Sequence, residues 1–180
     1  MLTLATLSTG EKIAGPQPLR KLFKALRRCS KSLSRRVKGS ANRTKARRKL
    51  AWLHYRIACQ RADTLHKLTT SLVQRFGTIV IEDLHVKGMV RNHHLARAIS
   101  DMGFGMFRRM LTYKVEAAGV TLVLADRWFP SSKLCAQCGV VVDSLPSSQR
   151  VFHCEACGHT TDRDVNAALN LQHYPGLQGK

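Results

Sequence analysis

Two Cys-x-x-Cys pairs constrain the fold of this 180-residue chain more than any other feature of its sequence. The pairs are Cys135 with Cys138 and Cys154 with Cys157, and fifteen residues lie between them. Zinc takes four thiolates in a tetrahedron, and a hairpin of this length can bring two such turns together. The spacing therefore predicts a zinc ribbon over residues 131–159. Its zinc is structural, because four thiolates leave no open position for catalysis.

Two other uses of these cysteines stay open from the sequence alone. They could form two disulfides, although a basic chain without a secretion signal is expected in a reducing compartment. His153 or His159 lies beside the ligands and could replace one cysteine. Gly139 and Gly158 each follow the second cysteine of a pair, where a metal-binding turn favours a residue that can take positive φ. We expect the four cysteines to suffice for zinc.

Residues 20–75 carry most of the positive charge of the chain. They hold 18 of the 30 Lys+Arg and one of the 11 Asp+Glu, within a net charge of 30 − 11 = +19. Apolar residues recur there every three or four positions, which predicts two helices, 18–37 and 43–76, folded back as an antiparallel hairpin. Cys29 and Cys59 fall on the apolar faces and are predicted to be small core residues.

This excess of positive charge indicates a polyanionic partner. Helices of soluble proteins usually mix both signs of charge, and a hairpin with one acid gains few internal ion pairs. The simpler alternative is a solvated hairpin whose Lys and Arg only keep the chain in solution. We predict instead that the hairpin binds nucleic-acid phosphates, which carry no base information. The candidate residues are Arg27, Arg28, Arg35, Arg36, Lys38, Arg43, Lys45, Arg47, Arg48 and Lys49.

The remaining sequence alternates strand and helix patterns. Continuous apolar runs at 78–81 and 120–124 predict buried strands, and a short hairpin is predicted at 3–13. Helices are predicted at 95–118, interrupted by two glycines, and at 165–172. No apolar run approaches the roughly 18 residues of a membrane span, so we expect no membrane partner. The order of elements indicates an α/β sheet with the zinc ribbon inserted before the last helix.

Three carboxylates stand at the ends of predicted elements. Glu82 follows the strand at 78–81, and Asp162 and Asp164 come just before the last helix. Taken singly, Glu82 could be an ordinary strand-end carboxylate, and Asp164 could be the helix N-cap. Taken together, carboxylates from a strand end and a helix start could bind Mg²⁺ for phosphodiester cleavage, for which at least three carboxylates usually hold the metals.

Three ordered segments, the last two flanking the cysteine pairs, carry a family resemblance. They are residues 79–89 (IVIEDLHVKGM), 126–133 (DRWFPSSK) and 161–170 (TDRDVNAALN). Together they closely resemble the C-terminal half of TnpB (OrfB), the RNA-guided nuclease encoded by bacterial and archaeal insertion sequences and long labelled a transposase. The compact type V CRISPR effectors are relatives of that family. The resemblance covers nearly the whole chain, including the basic hairpin.

The resemblance implies a fold, an activity and a set of site residues. The family has a RuvC-like nuclease domain of RNase H fold, which cleaves DNA with Mg²⁺ held by three acids after guide RNA pairs with the target. Glu82 matches the second of these acids and Asp164 the third, with Asp162 as the fallback. On this basis the RuvC-like domain is expected at 1–130 with 160–175, and the basic hairpin within it at 17–76.

The first acid of the family lies in a Gly-Ile-Asp-Leu-Gly-like string on the first strand, just before the segment that residues 2–8 match. No acid precedes Glu11 in this sequence. The fold expected from the resemblance is therefore a mixed sheet that lacks its first strand, with an incomplete magnesium site and without normal cleavage. We expect a cytoplasmic, nucleoid-associated fragment of an RNA-guided nuclease that binds DNA and guide RNA. The alternative is a non-catalytic, zinc-ribbon regulator of the parent mobile element.

Overall fold

The computed structural model describes residues 3–146 and 148–175, which form two compact units. The cysteine unit comprises the described parts of residues 1–15, 75–85 and 115–180. The hairpin unit comprises residues 16–74 and 86–114. Each unit is built from segments that are distant in sequence, because the chain passes from one unit to the other and back.

Helices and short strands alternate along the chain. The helices are α1 Pro18–Ser34, α2 Ala41–Arg75, α3 Val86–Met89, α4 His93–Met102, α5 Phe104–Ala118 and α6 Arg163–Gln172. The strands are β1 Thr3–Thr6, β2 Lys12–Ala14, β3 Thr78–Glu82, β4 Thr121–Ala125, β5 Val151–His153 and β6 Thr160–Asp162.

The six described strands form three separate two-stranded sheets. β1 pairs antiparallel with β2, β3 pairs parallel with β4, and β5 pairs antiparallel with β6. The expectation of one mixed sheet is therefore wrong for the part of the chain that the structure describes. The strands β3 and β4 are also only half-buried, and Leu124 is exposed. Their apolar runs predicted burial on both faces, but a sheet of two strands offers its faces too little cover.

The two predicted helices of the hairpin are confirmed, with shorter bounds. α1 starts with Pro18 at its first turn, where a missing N–H costs nothing, and it ends at Ser34 rather than at residue 37. The connection to α2 includes Gly39 at φ 83°, a conformation that favours glycine. The prediction that both helical cysteines are core residues is wrong, because Cys29 is half-buried and Cys59 is exposed.

The core of the hairpin unit comes from α2, α4 and α5. Its buried apolar residues are Leu53, Ile57, Leu65, Leu72, Ile99, Met102, Phe107, Met110 and Leu111. The predicted interruption of the helix occurs at Gly103, which separates α4 from α5 at φ 75°, whereas Gly105 lies inside α5. A Cβ at Gly103 would lie 3.0 Å from Leu65 Cδ1, so glycine fits this close approach to α2 better than a residue with a side chain.

A buried carboxylate organises the N-terminus of α1. Asp101, on α4, accepts hydrogen bonds from the backbone N–H groups of Leu19 at 3.0 Å and Arg20 at 2.9 Å. Arg61 on α2 donates to the same carboxylate at 2.9 Å. The N-cap residue Gln17 supplies no capping side chain of its own. Asp101 therefore satisfies first-turn donors of α1 from another helix and joins α1, α2 and α4.

Helix α6 is the central packing element of the cysteine unit. It contacts β1, β3, β5 and β6. Beside it, Cys135, Phe152 and Cys154 form a buried cluster, against which Val142 and Leu145 pack. The cysteine pairs are thus part of a small core, and α6 connects that core with the parallel strands.

Candidate metal centre and nucleic-acid interface

The four cysteines of the two pairs converge on one point. Their Sγ atoms all lie within 4.8 Å of one another, with 3.7 Å from Cys135 to Cys157 and 3.6 Å from Cys138 to Cys154. A tetrahedron with zinc–sulfur bonds of about 2.3 Å has edges of about 3.8 Å. The cysteines are therefore positioned for a metal ion, and the spacing of their sulfur atoms fits zinc.

Two equivalent backbone turns place these sulfur atoms. In the first turn, the N–H of Gly139 donates to Cys135 O at 2.9 Å, and the N–H of Cys135 donates to the carbonyl of Val140 at 2.8 Å. In the second turn, Gly158 donates to Cys154 O at 2.8 Å, and Cys154 donates to the carbonyl of His159 at 2.9 Å. Gly139 and Gly158 both have φ 74°, as the sequence predicted. Each pair is therefore shaped by its own local hydrogen bonds.

The electrostatics of this cluster favour a bound cation. Burial raises the pKa of Cys135, but backbone N–H groups and neighbouring thiols outweigh burial and lower this pKa to about 7. The N–H of His159 acts to lower the pKa of Cys157, yet burial and the other three thiols raise it to about 12. The first thiolate thus forms easily, whereas the last forms only against the charge of its neighbours. A divalent cation removes this repulsion.

The structure also decides between the alternative uses of these cysteines. All six cysteines are free thiols, and the close sulfur contacts join one pair to the other. His153 is hydrogen-bonded to Thr160 through Nδ1 at 2.8 Å, and neither it nor His159 belongs to the metal-binding group found among the described residues. The four-cysteine set is therefore the one that the fold assembles.

Two buried asparagines of α6, which sequence reasoning missed, hold the first cysteine turn. Asn166 accepts a hydrogen bond from the N–H of Ala136 at 3.1 Å and donates to Leu134 O at 2.7 Å. Asn170 donates to the carbonyl of Leu134 at 2.6 Å and to that of Ser131 at 2.8 Å. The signal in the sequence was an Asn pair four residues apart in a helix, where asparagine is otherwise unfavourable.

The same network reaches the predicted catalytic residue Glu82. This residue ends β3, and its Oε1 accepts a hydrogen bond from the hydroxyl of Ser131 at 2.7 Å. Ser131 is buried, and its carbonyl is held by Asn170. The carboxylate of Glu82 is therefore oriented by a serine that α6 fixes in place.

The two aspartates at the start of α6 have different roles. Asp162 is the N-cap, because its Oδ1 accepts hydrogen bonds from the N–H groups of Asp164 at 3.0 Å and Val165 at 3.2 Å. Its Oδ2 pairs with Lys12 at 2.6 Å. Lys12 and these N–H groups hold the pKa of Asp162 below its usual value. The alternative role of Asp164 as the helix N-cap is therefore wrong, because α6 begins at Arg163, two residues earlier than expected.

Asp164 lies in the first turn of α6 and is half-buried. Since α6 packs against β3, Asp164 and Glu82 belong to elements in contact. Asp126 follows β4 at the same carboxyl edge, because β3 and β4 are paired from Thr78↔Thr121 to Glu82↔Ala125. Within residues 3–146 and 148–175, the four cysteines are the one cluster of three or more metal-binding side chains, so these carboxylates do not form a second.

The basic hairpin presents its charge to solvent. Nine of the ten candidate cations are exposed, and none of the ten has an acidic partner in the described chain. The one half-buried candidate is Arg43. Its guanidinium donates to the carbonyls of Leu33 at 3.2 Å and Arg36 at 2.9 Å, at the end of α1. A cavity of about 460 Å³ lies between α1 and α2, lined in part by Arg28 and Lys49. This surface has the charge that nucleic-acid backbones require.

None of the helices in the described ranges has both the length and the apolar composition that crossing a membrane requires.

Known relatives of the chain are named as nucleases. A "Putative RNA-guided DNA endonuclease" of Streptomyces pristinaespiralis is 52% identical, over 94% of this chain and 42% of its own length. The "Putative RNA-guided DNA endonuclease InsQ" of Escherichia coli K12 is 37% identical, over 93% of this chain and 45% of its own length. The chain thus spans less than half the length of these relatives.

A solved structure shares the fold. The cryo-EM structure titled as the Cas12f1–sgRNA–target DNA complex matches 89% of this chain and 43% of that chain, with a TM-score of 0.58 at 18% identity. Two family models match in sequence. The model described as "Cas12f1-like, TNB domain" covers residues 104–171, and OrfB_IS605, described as "Probable transposase", covers residues 1–93. By this match over more than half of its length, the chain belongs to the OrfB_IS605 transposase family.

Proposed function

We propose that this chain supplies the nucleic-acid-binding surface, a structural zinc site and two metal-binding carboxylates of an RNA-guided DNA endonuclease. The names of its relatives in Streptomyces and Escherichia support this activity. The exposed cations of α1 and α2 would bind phosphates of guide RNA and target DNA, and Cys135, Cys138, Cys154 and Cys157 would hold one zinc ion.

The observation that carries the proposal is the connection made by α6. Its Asn170 holds the carbonyl of Ser131, and the hydroxyl of Ser131 holds Glu82. Asp164 stands in the first turn of the same helix. The helix that carries one predicted metal ligand therefore also orients the other, which is how a site made from distant segments is kept in register.

The proposed nuclease site uses the residues at the carboxyl end of β3 and the start of α6. Mg²⁺ bound there would activate a water molecule and stabilise the leaving oxygen of a phosphodiester. Glu82 and Asp164 would contribute carboxylate oxygens, the ligands that Mg²⁺ prefers. Asp162 is less suited, because its oxygens already cap α6 and pair with Lys12.

We further propose that residues 1–130 with 160–175 correspond to an RNase H-like, RuvC-type domain, and residues 131–159 to its zinc ribbon. Glu82 and Asp164 would be two of three carboxylates in such a site. We therefore expect the 180-residue chain by itself to bind DNA and RNA without cleaving DNA in Mg²⁺.

Salt dependence of binding tests the proposed surface. The logarithm of the binding constant should fall by about 0.9 per neutralised phosphate for each unit of log salt. Replacing Arg27 and Arg28 by glutamine should reduce that slope by about 2, since each lost phosphate contact removes about 1. The matched control replaces Arg91 and Arg150, which are exposed outside the hairpin, and should leave the slope unchanged. A flat salt dependence of the unmodified chain would refute the phosphate-binding role.

Paramagnetic Mn²⁺ tests the carboxylate site independently. Mn²⁺ substitutes for Mg²⁺ and broadens the NMR signals of nearby amides. We expect the amide signals of residues 82 and 164 to broaden together. Each of the variants Glu82→Gln and Asp164→Asn should lose the broadening at both residues. Glu116→Gln, which alters an exposed acid on α5, is the control. Broadening at one of the two residues alone would show that they do not share an ion. Mg²⁺-dependent cleavage by this chain would contradict the expected need for a third carboxylate.

A further inference from the structure

Helix α2 carries two large aromatic side chains on its solvent face. Both belong to the basic hairpin, but neither is among the ten nucleic-acid-binding candidates named from the sequence. Trp52 is 57% exposed and Tyr55 is 67% exposed. Such exposure of large apolar surface is unfavourable in a free protein, and adjacent examples on one face usually mark a binding site. The two rings are not on the side of α2 that packs into the core of the hairpin unit, because Leu53 and Ile57 form the buried face of this part of the helix.

The two rings lie within one stripe of the helix. Steps of three or four residues join positions 48, 52, 56 and 59, and also positions 52, 55 and 59, which places their side chains next to one another on one face. Arg48 and Arg56 are the cations of this stripe, and both are exposed. The stripe therefore alternates guanidinium groups with aromatic rings, opposite the side that packs into the core.

A contact along the stripe orients the Trp52 ring. The Arg56 guanidinium carbon lies 5.5 Å from the centre of the Trp52 ring, in a cation–π arrangement. Cys59, one turn beyond Tyr55 on the same face, raises the pKa of the tyrosine hydroxyl. A ring that is already held in place loses less conformational freedom when a ligand stacks on it.

The charge around the stripe identifies its ligand as an anion with flat apolar groups. The one acid of α2 is Asp63, and its carboxylate is paired with Lys67 at 2.7 Å. A nucleic-acid strand offers phosphates for Arg48 and Arg56 and bases for the two rings. In a duplex the base faces are covered by their neighbours, so rings on a helix surface reach them only where bases are unpaired.

We propose that Trp52 and Tyr55, with Arg56, form a stacking surface for the unpaired bases of a single-stranded nucleic acid. This inference rests on the proposed nucleic-acid function and adds to it a contact with bases. The hairpin would then bind single strands through two chemically different interactions, phosphate contacts that depend on salt and base stacking that does not.

Binding of a fluorescein-labelled oligo(dT) strand tests the stacking surface. Trp52→Leu keeps an apolar side chain and a good helix former but removes the aromatic face, and Trp52→Phe keeps a ring. We expect Trp52→Leu to weaken single-strand binding about 5- to 150-fold, with an unchanged salt slope because no charge is lost. Trp52→Phe should retain most of the affinity. Arg48→Gln should instead reduce the salt slope by about 1.

A fluorescence measurement gives a second readout. The chain has two tryptophans, so Trp128→Phe leaves Trp52 as the single reporter. Its emission should be quenched by oligo(dT) and hardly changed by a duplex of the same length.

The possible outcomes separate this inference from the proposed function. If Trp52→Leu binds as tightly as the unmodified chain while Arg48→Gln weakens binding, the stacking surface is wrong and the phosphate surface stands. Equal losses of single-strand and duplex binding in Trp52→Leu would also overturn the stacking surface. If the unmodified chain binds neither strand form, both the proposed function and this inference fail.

Discussion

The cysteine unit and the hairpin unit each contain a polar centre, and the two centres stabilise their surroundings in different ways. Four thiols converge within 4.8 Å in the cysteine unit, where their charges repel unless a cation joins them. In the hairpin unit, the Asp101 carboxylate is neutralised by Arg61 and by the N–H groups of Leu19 and Arg20. The hairpin unit therefore carries its own compensating charge, whereas the cysteine unit would need a cation from solution.

This difference predicts which part of the molecule responds to the removal of metal. Extraction of zinc by a chelator should remove a binding free energy of about 10–16 kcal/mol and unfold at least residues 131–159. Hydrogen exchange should then lose protection in β5 and β6, while the amides of α2 stay protected. Loss of protection in both units at the same chelator concentration would contradict the expectation that only the cysteine unit depends on metal.

Single cysteine variants provide the matched control for metal removal. Cys157→Ser removes one ligand and should abolish tight zinc binding, measured as metal per chain after purification under reducing conditions. Cys59→Ser alters an exposed cysteine outside the cluster and should keep one zinc per chain. A chain that holds no zinc in its unmodified form would refute the metal assignment.

A smaller effect is expected from the centre of the hairpin unit. Asp101→Asn removes a charge that is paired with Arg61 in a site where their side chains are only 4% and 18% exposed. Breaking such a buried pair should lower the free energy of unfolding by about 3–5 kcal/mol, because the guanidinium then lies buried without a counter-charge. Urea denaturation followed by circular dichroism measures this change.

The exposed ion pair of α2 is the control for that measurement. Asp63 and Lys67 are 61% and 77% exposed, so Asp63→Asn should cost only about 0.3–0.5 kcal/mol. Equal costs for Asp63→Asn and Asp101→Asn would mean that the buried carboxylate does not organise the unit.

A smaller effect than that of Asp101→Asn is expected at the start of α6. Asp162→Ala removes the N-cap and should lower the free energy of unfolding by about 0.5–2 kcal/mol. Asp164→Ala should change it by no more than about 0.5 kcal/mol, since this side chain caps nothing. Thermal denaturation of both variants compares them directly. A larger loss of stability in Asp164→Ala than in Asp162→Ala would show that Asp164 caps α6.

Much of the local structure was predictable because its causes are local. The spacing of the cysteine pairs predicted the metal centre, and the turns around Gly139 and Gly158 have the positive φ that was expected. The apolar periodicity of α1 and α2 predicted both helices, with errors of a few residues at the ends. Helix ends depend on which side chain or carbonyl satisfies the last backbone groups, and a periodic pattern does not contain that information.

The errors arose where the answer depended on distant segments. Strand patterns at β3 and β4 indicated burial, but the described sheet has two strands and leaves Leu124 exposed. Cys59 falls on a face that looked apolar, yet it lies next to Tyr55 on the solvent side. The assignment of Glu82 and Asp164 as metal ligands stays a prediction.

The amino-acid sequence determined by itself the two cysteine turns, the basic helices and the family, because each depends on residues a few positions apart or on an ordered motif. Only the tertiary structure decided that Asp101 caps α1, that Asp162 rather than Asp164 caps α6, and that Asn170 and Ser131 orient Glu82. The physical reason is that a buried hydrogen-bonding group takes whichever partner the packing of other segments brings within about 3 Å, and sequence distance does not limit that choice.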